Sequence, residues 1–115
     1  MARIRHVAIR TADAENLVKF YTVTFGLKVI DGVGPATYLT DGYLNLAIIP
    51  KGNNSHQGID HFGIEVDDIE ALVPVCEAEG ATTGIIKRPA NREAEFRVND
   101  PDGNMIDLSQ HGWPH

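Results

Sequence analysis

The ten residues IRHVAIRTAD, beginning at Ile4, return fifty-five positions later as IDHFGIEVDD, beginning at Ile59. His6 corresponds to His61, Ile9 to Ile64 and Asp13 to Asp68. An internal repeat constrains a chain more strongly than composition does, because each copy must adopt the same local structure and find a partner for the face it cannot bury alone. At 115 residues the chain has room for one domain's core and not for two independent ones.

Each copy opens with alternating apolar and polar residues, Ile4–Arg10 and Ile59–Val66, the period of a half-buried strand. A helix follows in each, begun by Asp13 or Asp68 as N-cap. Leu17, Phe20 and Tyr21 recur at helical spacing in the first, and Ile69, Leu72, Val73 and Cys76 in the second. Gly26 and Gly80 stand where a left-handed C-cap is expected. Short strands come next, predicted at Lys28–Val33 and Thr83–Ile86 for the middle of each copy. The last strand of each follows a turn sequence, Thr40-Asp41-Gly42 or Asn99-Asp100-Pro101-Asp102-Gly103. Those last strands read Leu44-Asn45-Leu46 and Ile106-Asp107-Leu108. The expected architecture is α+β: one domain over residues 1–115, with a first module over about 1–50, a linker PKGNNSHQG over 50–58 and a second module over about 58–110.

Side chains two apart on a strand share a face. Val7 and Ile9 therefore oppose His6 and Ala8, while Phe62, Ile64 and Val66 oppose His61, Gly63 and Glu65. Leu44, Leu46 and Ile48 oppose Asn45 and Ala47, and Ile106 and Leu108 oppose Met105, Asp107 and Ser109. One face of each module is apolar and suits a helix packed on it. The other carries small residues with His6, Asn45, His61 and Asp107, the lining of a cleft.

Neutral imidazole nitrogen and carboxylate oxygen suit first-row divalent metals, so His6, His61 and Asp107 are read as ligands of one such ion. Considered singly, each histidine is a satisfied strand residue and Asp107 an edge-strand charge; their symmetric places in the repeat favour the metal. Three protein ligands leave about three positions of an octahedral ion open. Asp107 and Glu65, on the cleft face, are the candidate catalytic carboxylates.

Sixteen acidic residues against ten basic ones give a net charge of -6, which lacks the basic footprint of a nucleic-acid binder and disfavours anionic membrane surfaces. The start, MARIRHVAIR, has no apolar core of a secretory signal, and no run reaches the roughly 18 apolar residues of a membrane span; a cytoplasmic protein is expected. Cys76, the single cysteine, sits in an apolar helical pattern and is assigned to packing. Exposed sheet edges in each half and the commonness of two-fold assemblies point to a homodimer.

The segments HVAIRTAD, HFGIEVDD and DPDGNMIDL together resemble the vicinal oxygen chelate superfamily of glyoxalases, bleomycin-resistance proteins and ring-cleaving dioxygenases, over essentially the whole chain. The resemblance implies two βαβββ modules whose mostly antiparallel sheet forms a U-shaped cleft, with ligand places at His6, Asn45, His61 and Asp107. It implies one divalent metal, iron, manganese, nickel or zinc, and modules that can be exchanged within a dimer. The family's last ligand is usually Glu, one methylene longer than Asp107, and glyoxalases carry Glu or Gln where Asn45 stands. The resemblance further implies a small substrate with adjacent oxygens, held through two of the open positions with the metal as Lewis acid and template; the three-ligand set that remains resembles that of extradiol dioxygenases, and points to a dioxygenase ahead of a lyase or isomerase. A metal-free, bleomycin-resistance-type binding protein is the alternative.

Overall fold

A computed structural model describes residues 1–32 and 34–115. It contains ten elements in the order β1 (Arg3–Thr11), α1 (Ala14–Phe25), β2 (Lys28–Ile30), β3 (Thr37–Thr40), β4 (Asn45–Pro50), β5 (Gly58–Glu65), α2 (Ile69–Ala78), β6 (Ile86–Lys87), β7 (Phe96–Asn99) and β8 (Met105–Ser109). This is the α+β succession expected from the repeat, strand–helix–three strands twice over. Antiparallel pairings predominate, with β1–β4 and β5–β8 parallel. No helix among the described residues is long and apolar enough to cross a membrane.

Two compact units share the chain. One comprises Met1–Arg5 and His61–Trp113, the other His6–Asp60 and Pro114–His115. The first five residues thus belong with the second copy of the repeat, and the last two with the first copy.

In the unit built on the second copy, the strand order is β5, β8, β7, β6. Asp68 caps α2 by accepting from the amide of Ala71 at 3.4 Å. The helix ends in paired bonds from Gly80 N to Glu77 O and from Ala81 N to Cys76 O, a Schellman closure that needs the positive φ of 87° at Gly80 and so favours glycine. Ile69, Val66, Val98 and Leu108 form the buried core, with Leu72 and Cys76 packed against it. Val73, expected on the same stripe, is turned outward and about half exposed. The middle strand falls at Ile86–Lys87 rather than Thr83–Ile86. Thr82 and Thr83 are held earlier by their hydroxyls, which bond Asp100 O and Asn99 N, side-chain bonds that compete with a ladder.

In the other unit the order is β2, β3, β4, β1. Asp13 caps α1 through the amide of Asn16 at 3.1 Å, and Gly26 closes it at φ 71°. Leu39 and Ile48 are fully buried. Phe20 does not join them: it is half exposed and meets Tyr21 and Phe25 edge-on instead, at 5.4 and 5.9 Å. The middle strand spans Lys28–Ile30; the expected end at Val33 lies outside the described residues.

Candidate functional site

The unit of the second copy brings together His61, Asp107 and Arg97. The parallel register sets Asp107 opposite Gly63, one residue on the same face from His61, and the antiparallel register sets Arg97 opposite Asp107. His61 Nε2 lies 3.1 Å from Asp107 Oδ2, and Arg97 Nε donates to Asp107 Oδ1 at 2.6 Å. The carboxylate therefore has a different partner on each oxygen. Burial alone would raise the Asp107 pKa, but hydrogen bonds and opposite charge from His61 and Arg97 outweigh it and bring it to about 2. Arg97 is itself steadied by a contact of Nη1 with Met105 Sδ at 3.5 Å.

Glu65 faces different company. Arg3 Nη1 reaches its Oε2 at 2.8 Å and Arg5 Nη1 its Oε1 at 3.3 Å. Beyond it, His111 lies 3.2 Å from Glu95 and 3.5 Å from Glu93 through opposite ring nitrogens. Burial pulls the His111 pKa down, and the two carboxylates more than reverse this, raising it above its usual value. Arg88, opposite Glu95 in the ladder, keeps a buried Nε without a hydrogen bond.

The unit of the first copy holds His6 and Asn45, paired across β1 and β4. His6 Nδ1 is 2.7 Å from Asn45 Oδ1, and Asn45 Nδ2 donates to the carbonyl of Pro114 at 2.9 Å. On the same face Tyr38 packs with Ala8 and Ala47, which makes an apolar wall beside the two polar residues. Gly32 lies against the Tyr38 ring so closely that a Cβ there would come within 2.8 Å of it.

His6, His61 and Asp107 are all buried, and their donor atoms are of the kind first-row divalent metals take. Two ligands at right angles on such an ion, with bonds of about 2.1 Å, lie about 3 Å apart. His61 Nε2 and Asp107 Oδ2 already stand at 3.1 Å. A hydrogen bond between the two side chains sets this spacing, and it is also the spacing of two ligands on one ion.

Of the surrounding groups, Arg97 was open to detection: folding the chain about a five-residue connection, Asp100–Asn104, places residues 97 and 107 opposite each other. The Pro114 carbonyl carried no signal, because every residue has one. Arg88 had none either, since its register depends on where β6 starts.

A family model described as Glyoxalase/Bleomycin resistance protein/Dioxygenase superfamily matches residues 3–108. The chain belongs to this superfamily. Its curated relatives include a putative lactoylglutathione lyase of Brassica oleracea var. gemmifera, 28% identical, the match covering 96% of this chain and 45% of that protein. A probable lactoylglutathione lyase of Vibrio cholerae is also 28% identical, over 98% of this chain and 94% of its own length. The chain spans less than half the length of the plant relatives it matches. Among solved structures, the 2,3-dioxygenase LapB from Pseudomonas sp. KL28 aligns with a TM-score of 0.70 and 26% identity, over 93% of this chain and 40% of that one. Lyase and dioxygenase are thus both represented among relatives, and superfamily membership agrees with an enzyme.

Proposed function

We propose that His6, His61 and Asp107 together hold one divalent ion, and that the protein uses it as a dioxygenase acting on a small molecule with adjacent oxygens. The observation that carries this reading is the His61–Asp107 pair, two buried ligand-type atoms 3.1 Å apart, with an acid whose pKa is about 2. Metal ligands must be deprotonated, and Asp107 is so at any physiological pH. His6 is the counterpart of His61 in the repeat and is also buried.

When bound, the ion would supply Lewis acidity toward two substrate oxygens and, as iron(II), a place for dioxygen. The chain's own residues do the positioning. Arg97 holds Oδ1 of Asp107 and leaves Oδ2 turned to His61. A glyoxalase-type lyase needs a proton acceptor beside its substrate. Asn45 presents an amide there, and Asp107, with its depressed pKa, is a weak base. Glu65, the other candidate, has an arginine on each oxygen.

Anaerobic loading with iron(II), followed by oxygen-uptake assays over catechols and 2-oxo acids, tests the proposal. Uptake with a catechol, abolished by His61→Ala together with tight metal binding, is the expected result. The lactoylglutathione lyase relatives favour a second reading. No uptake, with thioester formed from a glutathione hemithioacetal, would establish it. Protein that takes up no metal after reloading and binds flat aromatic ligands would be a binding module instead.

We also infer a homodimer. Phe20, Val23 and Phe25 on α1 are each at least half exposed, and clustered exposed apolar groups of this kind commonly mark interaction surfaces. Light scattering at micromolar concentration should give twice the 12.6 kDa chain mass; a monomer would refute the inference.

A further inference from the structure

The place of Asn45 invites a role as a fourth ligand, and its hydrogen bonds assign it a different one. The side chain is wholly buried, at 0% exposure, so the direction of its amide is set by its neighbours rather than by water. A carbonyl oxygen can only accept. Pro114 O lies 2.9 Å from one end of the amide, and that end must be the NH2 group, because an oxygen there would set two lone pairs against each other. The other end, Oδ1, then faces His6 Nδ1 at 2.7 Å and likewise can only accept. The proton of a neutral His6 therefore sits on Nδ1, and the ring's lone pair on Nε2.

We propose that Asn45 is a positioning residue: the backbone carbonyl of Pro114 orients its amide, and the amide locks His6 in the Nδ1–H tautomer that presents Nε2 as the ligand atom. A hydrogen bond on the far nitrogen is how metal-binding histidines are commonly aimed, and its loss typically costs about 10–100-fold in metal affinity. The chemistry adds a job for the end of the chain. Pro114 and His115 belong to the unit of the first copy, and the Pro114 carbonyl is the part of that segment that reaches Asn45. The consequence for metal rests on the three-ligand proposal above; the tautomer does not.

The tautomer is read directly from long-range 1H–15N correlations of the imidazole in metal-free protein. The parent should show a protonated Nδ1 and a pyridine-like Nε2 for His6. Asn45→Leu, which offers no acceptor, should populate the other tautomer and weaken binding of zinc or manganese by about 10–100-fold. Should Asn45→Leu fail to fold, a milder variant decides: a chain ended at Trp113 removes the Pro114 carbonyl that orients the amide and should mix the tautomers. A parent with the proton on Nε2, or both Asn45→Leu and the shortened chain keeping it wholly on Nδ1, would overturn the proposal. A parent with the expected signature that binds no metal would support the orientation while refuting the three-ligand site.

Discussion

Replacing Asp107 by Asn keeps the shape of the side chain and removes its charge, which makes the electrostatic part of its environment measurable. In the folded protein the carboxyl pKa falls from 3.8 to about 2, and each pKa unit corresponds to about 1.4 kcal/mol. The carboxylate therefore contributes about 2 kcal/mol to stability at neutral pH. With 8% of the side chain exposed, solvent screening takes little from that figure. The sign follows from proton linkage. A depressed pKa means that the unfolded chain binds the proton more readily, so the contribution is complete well above 3.8, about half remains at pH 3, and nearly all is gone below 2. Urea unfolding of parent and Asp107→Asn, both in chelator, should differ by about 2 kcal/mol at pH 7 and by about half as much at pH 3. A difference that is the same at both pH values would refute the reasoning, since a packing defect does not titrate. A difference near zero at pH 7 would refute it as well, since the lowered pKa already has the cost of burial in it.

Other expectations can be checked with simpler measurements. Gly32→Ala would put a Cβ 2.8 Å from the Tyr38 ring, where Ala8 and Ala47 leave the ring little room to retreat; a loss of about 1–3 kcal/mol in urea melts is expected, and it should vanish in a Tyr38→Ala background. His111 should titrate above its usual 6.5 by NMR, because Glu95 and Glu93 outweigh its partial burial. Its small stabilising effect is then present below pH 6.5, is lost as the pH rises through the raised value, and disappears in the double variant Glu93→Gln, Glu95→Gln. Gly26→Ala, at a φ of 71°, should cost about 1–2 kcal/mol, whereas Gly84→Ala, which has open space and no positive φ, should be close to neutral.

How much of this could be read before folding depends on the range of the interactions concerned. The repeat, the caps at Asp13 and Asp68, the closing glycines and the two-residue strand period are local rules, and they were enough to place His6 with Asn45, and His61 with Asp107, on the faces away from the helices. Local rules failed where two elements compete for one segment: Thr82 and Thr83 spend their hydroxyls on backbone groups of Asp100 and Asn99, so β6 begins later than its composition suggests. They also failed for Phe20 and Val73, whose spacing fits a buried stripe but whose positions on the helices point them outward.

What the sequence by itself determined, then, was the kind of fold and the residue types offered to the site, because strand period and helix capping act over a few neighbouring residues. Only the tertiary structure decided which groups those residues meet. Strand register brings Arg97 to Asp107 and so leaves the acid ionised in a buried place. Arginines from the N-terminal strand take up Glu65. A carbonyl 69 residues away in sequence turns the amide of Asn45, and through it the ring of His6. Such contacts join chain segments far apart and often use backbone atoms that every residue possesses, so no pattern of side chains along the chain can announce them.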